Sequence, residues 1–143
     1  MMRSLRFAGF ALVAAILGAA AVVVAFARDD GPSPTTRATI AIHYSKFSQG
    51  GITVPAGVPV TFTLANQDPI GHEWIIGDEA VHARHRTGTE PYHDEIPTEI
   101  SLRAYETKTT TIVFDKAGDY VYICHLPGHE EYGMKGVVHV VGD

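Results

Sequence analysis

Three residues near the end of the chain carry three kinds of donor atom: a thiolate on Cys124, an imidazole on His129 and a thioether on Met134. They are spaced C-x4-H-x4-M in the run Cys124-His125-Leu126-Pro127-Gly128-His129-Glu130-Glu131-Tyr132-Gly133-Met134. Cys124 is the only cysteine, and Met134 is the only methionine beyond the first two residues. These donors suit a trigonal copper held by two histidines and a cysteine, with a weak axial methionine. Cu(I) and Cu(II) prefer different geometries, so a compromise site of this kind passes one electron with little rearrangement. The loop supplies one of the two histidines. His72, at the start of a strand-like run just after a turn, is the candidate for the other.

The elements that must position these four residues are short and of β type. Residues 39–43 alternate, residues 52–54 follow Gly50-Gly51, and Val58, Val60, Phe62 and Leu64 share one face of a further strand. Pro55-Ala56-Gly57 turns into that strand and Asn66-Gln67-Asp68-Pro69 leaves it. Residues 73–76 form the next, and strands resume at 100–102, 107–114, 120–123 and 137–141. Cys124 thus ends one strand, His129 lies on the loop after it, and Met134 stands where the chain enters the last strand. Short strands with regular turn signals and no long amphipathic helix predict an all-β, antiparallel sandwich over residues 39–143. Pro127 has no N–H, which limits the hydrogen bonds the thiolate can accept and leaves it more electron-donating.

Ahead of the sandwich, residues 7–27 are 21 positions without a charge, preceded by Arg3 and Arg6. Residues 1–27 read equally as a signal peptide ending at Ala25-Phe26-Ala27 or as an apolar helix long enough to anchor in a bilayer. Both put the remainder outside the cytoplasm, in the periplasm or on the outer face of the membrane. Residues 28–38, with Asp29-Asp30-Gly31-Pro32-Ser33-Pro34, read as a tether. All 16 acids but only nine of the 11 bases lie from Arg28 onward, a net charge of −7 with histidine neutral. Such a surface argues against nucleic acid and favours a basic protein partner. A lone cysteine in an exported domain forms no internal disulfide, and a bound metal would occupy it.

Residues 77–98 interrupt the β pattern with a polar, histidine-rich insertion whose first part, residues 78–86, has the makings of a short helix. Glu79, His82 and His85 would share one face of it, and His93 with Asp94 lies on the same excursion. Imidazoles at His82, His85 and His93 would suit a second Cu(II) or Zn(II). Arg84, Arg86, Glu90, Glu95 and Glu99 speak instead for a solvated, charge-mixed loop or a docking surface, and that reading is preferred. His125 is expected as a hydrogen-bonded surface residue rather than an electron exit, and His139, among valines, as packed or exposed rather than a ligand. His43 has no expected role.

With these residues in view, the chain resembles the cupredoxins, the blue copper family of plastocyanin and azurin, over roughly residues 39–141. The Cys124-x-x-Pro127-Gly128-His129 portion is similar to azurin's loop, and the gap from His129 to Met134 to plastocyanin's. The resemblance implies a Greek-key β-sandwich with one type 1 copper at one end, bound by His72, Cys124, His129 and Met134. Two departures stand out. Many cupredoxins carry a small polar residue after the first histidine, where this chain has Glu73. Multicopper oxidases flank the cysteine with histidines on both sides, whereas Ile123 precedes Cys124 here and no His-x-His pair occurs, so a trinuclear cluster is not expected.

The function expected is single-electron transport by an exported, monomeric copper protein with a redox protein as donor or acceptor, and no enzymatic activity. No nucleophile–base pair, phosphate loop or paired-carboxylate motif is visible. Copper capture or delivery is the alternative, supported by the insertion. A single-domain relative of the copper oxidases is the other, and would need an open second copper site.

Overall fold

β-Branched and aromatic residues alternating with polar ones fold into nine strands and one helix among the described residues of a computed structural model, which are 34–88, 93 and 96–142. The leader at 1–27 and the expected N-terminal apolar helix lie outside them. Among the described residues no helix is long and apolar enough to cross a membrane. In chain order the elements are β1 (Arg37–His43), β2 (Lys46–Phe47), β3 (Gly51–Pro55), β4 (Pro59–Asn66), β5 (His72–Gly77), α1 (Glu79–Arg86), β6 (Glu99–Leu102), β7 (Thr107–Val113), β8 (Gly118–Ile123) and β9 (Lys135–Val141). β1 begins inside the segment expected to be tether. The two-residue β2 has no signal in the sequence.

The strands form a four-stranded sheet, β2-β1-β4-β7, and a five-stranded sheet, β3-β9-β8-β5-β6. Both are mixed, which corrects the expected antiparallel arrangement: β1 runs parallel to β4 and β3 parallel to β9. Alternation decides which face of a strand is buried but is indifferent to strand direction. The parallel neighbours arise because the chain visits the opposite sheet between them.

One continuous core fills the space between the sheets. Ile40, Ile42, Val60, Phe62 and Leu64 meet Val54, Trp74, Tyr122, Val138 and Val140 across it, with Phe62 and Trp74 rings 5.2 Å apart. Each such side chain contributes about 1.5–3 kcal/mol by leaving water. Val58, expected on this face, lies before β4 and is 38% exposed. Cys124 and Met134 are fully buried at one end of the same core.

The outer face of the larger sheet is covered as well. β6 is buried on both sides: Ile100 and Leu102 face the core, while Glu99 and Ser101 alternate outward yet are still buried. Ile75 pairs with Glu99 on one side and Ile123 on the other, and all three are buried. α1 is held there by local chemistry. Asp78 caps it by accepting from the Val81 N–H at 3.0 Å, Glu79 sits in its first turn, and Arg84, His85 and Arg86 sit in its last. Gly77 lets the helix turn back tightly, because a Cβ there would lie 2.8 Å from Val81.

This overturns the reading of the insertion as a solvated loop. His82, His85, His93 and Glu99 are all buried, because α1 lays one face on β5, β6 and β8 and turns only its charged face outward. Of the expected helical triplet, Glu79 is exposed and pairs with Arg86 at 2.6 Å.

Candidate metal centre

The β8–β9 turn carries three of the four sulfur and nitrogen donors at one end of the sandwich. The Ile123–Lys135 pair closes its base, and the Cys124 N–H donates to the Met134 carbonyl at 3.2 Å. Within it the Met134 N–H donates to the His129 carbonyl at 2.9 Å and the His129 N–H to the Leu126 carbonyl at 3.0 Å. Gly128 and Gly133 take the left-handed backbone (φ 83° each) that these tight turns demand. His129 Nδ1 ends 3.3 Å from Cys124 Sγ.

His72 arrives from β5, its ring 5.1 Å from that of His129. One donor atom from each of His72, Cys124 and His129 lies within 4.8 Å of the others. Met134 is buried beside them, tied to Cys124 and His129 through its own backbone. The four residues singled out from the sequence therefore share one end of the sandwich.

What aims His72 is Asp68, four residues upstream. Its Oδ2 is 2.9 Å from His72 Nε2, which fixes the proton there and leaves Nδ1 as the free lone pair. His72 Nδ1 is buried and has no hydrogen-bond partner. The same carboxylate accepts the Tyr44 and Ser45 N–H groups at 2.8 Å each, holding two consecutive residues in the left-handed region that L side chains disfavour. His43 Nδ1 lies 3.5 Å from Asp68 as well, so His43 belongs to the site's surroundings. Asn66 fixes the turn behind Asp68. It donates to the Ile70 and Arg103 carbonyls at 2.8 Å each and accepts the Asp68 N–H at 3.0 Å.

Glu73 departs from the usual small polar residue, yet its backbone closes the site by donating its N–H to Cys124 Sγ at 3.4 Å. Burial pushes the Cys124 thiol up to about 11, against which the Glu73 and Leu126 N–H groups pull it down. A metal is what would convert such a thiol to thiolate at neutral pH. Burial lowers the His72 pKa, only partly opposed by Asp68, so the ring is held as neutral imidazole, the form that ligates. Burial alone would raise the Asp68 pKa. The Ser45 and Tyr44 N–H groups and His72 outweigh it and keep the carboxyl below its ordinary value.

Beside this centre lies a second cluster. His125, expected at the surface, has a side chain only 2% exposed. Its Nε2 is 2.9 Å from His82 Nδ1, and His82 Nε2 is 3.2 Å from the Val121 carbonyl. Burial pushes the His125 pKa down to about 4, with nearby His82 adding to the effect. His139 is half-exposed and pairs with Asp119 at 2.7 Å, away from both clusters. Sequence reasoning missed Asp68, Asn66 and the burial of Glu99. The first two read only as turn formers, although an acid in the turn just before a ligand histidine is a signal that could have been followed.

The plastocyanin/azurin family of copper-binding proteins matches residues 35–141. The chain belongs to that family. It is 33% identical over 96 residues to the copper-resistant cuproprotein CopI of Rubrivivax gelatinosus, an alignment covering 65% of this chain and 58% of CopI. It is 28% identical to auracyanin-B of Chloroflexus aurantiacus over 78% of this chain and 54% of that one. The chain thus spans little more than half the length of these curated relatives. Among solved structures, reduced auracyanin from Roseiflexus castenholzii superposes with a TM-score of 0.65 at 27% identity, covering 76% of this chain and 99% of that one. Auracyanin A, a blue copper protein of Chloroflexus aurantiacus, superposes at 0.58 with 28% identity over 76% of this chain and all of that one.

The donors suit the family's metal. A buried, unpartnered His72 Nδ1 belongs to a group with a buried thiol and a second imidazole, and the thioether of Met134 is buried at the same end, a set that fits copper in either oxidation state.

Proposed function

We propose that His72, Cys124, His129 and Met134 hold one type 1 copper and that the protein is an exported single-electron carrier. The observation that carries this is the orphaned His72 Nδ1, oriented by Asp68 toward a thiol and an imidazole already at ligand spacing. Copper supplies the one-electron couple. The chain supplies a frame that changes little between its two states. His72 is set by a buried carboxylate, Cys124 by two backbone N–H groups, and the loop donors by hydrogen bonds to one another. His129 is partly buried, and Pro127 and Gly128 beside it are exposed. Its ring edge is the natural path for the electron to a docked partner, for which the net charge favours a basic surface. No catalytic role is assigned to this centre, since the four donors leave no open position for a substrate.

Copper-loaded protein is expected to show intense blue absorption from a short copper–thiolate bond, bleached by reductant and restored by oxidant. Colourless Cu(II) binding at one equivalent would overturn the assignment. A second reading, copper handling in resistance, is favoured by the identity to CopI. It predicts that deletion sensitises cells to copper without impairing electron flow.

A further inference from the structure

The buried cluster under the insertion has geometry of its own. His85 and His93 each present a ring nitrogen to Glu99: His85 Nε2 is 3.4 Å and His93 Nδ1 3.5 Å from Oε2. Their three donor atoms lie within 4.8 Å of one another, and all three side chains are at most 6% exposed. His85 Nδ1 lies 2.8 Å from the Val81 carbonyl, which takes its proton and leaves Nε2 as a lone pair aimed at a carboxylate. His85 Nε2 is buried without a hydrogen-bond partner, as is His93 Nε2, the ring nitrogen on the side away from the Nδ1 contact with Glu99. A lone pair on His85 Nε2 facing the Glu99 carboxylate out of water repels it unless a proton or a metal cation lies between them. Tetrahedral ligands about 2.0–2.1 Å from a metal stand about 3.3–3.4 Å apart, close to the 3.4 and 3.5 Å that separate the two imidazoles from the carboxylate.

The surroundings suit a bound ion. Arg84 donates to the other Glu99 oxygen at 2.8 Å, orienting the carboxylate. His93 is pinned to β6 by the Ser101 hydroxyl and N–H, both at 3.1 Å. A cleft of about 530 Å³ lined by His85, His93, His125 and Glu130 opens beside the cluster, leaving room for a fourth, exchangeable ligand. His82 has no part in it: both its nitrogens are already engaged, by His125 and the Val121 carbonyl.

We propose that His85, His93 and Glu99 form a second metal site, independent of the blue centre, that takes a divalent borderline cation, Cu(II) or Zn(II). Two imidazoles and a carboxylate with no sulfur disfavour Cu(I), and three protein ligands with an open position describe an exchangeable site. His125 lies next to both places. It follows Cys124 in the chain, and its ring stacks on that of His85 with centroids 5.7 Å apart.

The test loads the full chain with one copper, judged by its blue band, and then titrates Cu(II) or Zn(II) in separate arms. Bound metal is counted by elemental analysis after desalting. One further equivalent of either cation is expected, the two competing for the same site. The added Cu(II) should give a second paramagnetic resonance signal without adding blue absorption. His93→Gln and Glu99→Gln should each lose that equivalent and keep the blue band, which also reports that the variants are folded. Saturation of the wild-type protein at one metal per chain in both arms would overturn the proposal without recourse to any variant. Retention of the second equivalent by both variants would overturn it too. Failure of the blue assignment would show separately, as absence of the band before the titration starts.

Discussion

The two ends of the large sheet's buried polar chemistry are built on opposite plans. The Cys124 centre takes three of its residues from one turn, and its remaining histidine is aimed by a carboxylate that also pins a neighbouring hairpin. The Glu99 cluster gathers a helix, a residue of the insertion and a strand, whose members meet because α1 lies on the outer face of the sheet and Ser101 ties His93 to β6. The first is set by local sequence and reinforced by the sandwich. The second exists only through the sandwich. Spacing on a turn is inherited directly from the sequence, whereas spacing across elements depends on every packing contact between them.

Substitutions at the two places should separate accordingly. Cys124→Ser is expected to have the largest effect, abolishing blue absorption while leaving circular dichroism unchanged, since β8 needs only a small residue at its end. A variant that stays blue would show that the thiolate is elsewhere. Its uptake of metal at the Glu99 cluster should persist, and loss of both would break the independence of the two places.

Asn66→Ala comes next. It removes the Asn66 partner from the Ile70 carbonyl and the Asp68 N–H, and one of two from the Arg103 carbonyl, which keeps the Glu106 N–H, so a loss of about 1–3 kcal/mol is expected in denaturant unfolding. Because Asp68 aims His72, copper affinity should fall by about tenfold to a hundredfold in a competition titration. An unaltered affinity would mean that Asp68 holds its place without Asn66.

Met134→Leu should keep copper but raise the reduction potential. Losing a weak axial donor destabilises Cu(II) more than Cu(I), and the more apolar site favours the lower charge. Voltammetry showing no change, or a fall, would remove Met134 from the ligand set. The smallest effect is expected for His82→Ala. It frees His125 Nε2 and should cost about 1 kcal/mol in thermal unfolding, with blue absorption retained. Loss of copper in that variant would show that the two regions are coupled through His125 more tightly than their separate frames suggest.

Much of this was legible in the chain. Cys124, His129 and Met134 announce themselves because their spacing is that of a single turn, and His72 because it opens a strand after a turn. The strands themselves followed from alternation, Val60, Phe62 and Leu64 being the clearest case. Strand direction did not, because a parallel β1–β4 pair buries the same face as an antiparallel one. Nor did the fate of the insertion. Glu99 and Arg84 read as solvated charges because local composition cannot show that β6 has a covered outer face. Asp68 reads as a turn residue because its second role, toward His72, needs the fold of the turn to be known.

The closed base of the β8–β9 turn has a consequence for descent and for engineering. Cys124 and Met134 are joined by a backbone hydrogen bond, one step inside the last cross-strand pair of the two strands. The segment between them is therefore a cassette. Its length or composition could change, and the reactivity of a metal bound there with it, while the two strands present the same pair of ends. The rest of the sandwich is then free to drift, provided that one histidine and the acid behind it stay in register.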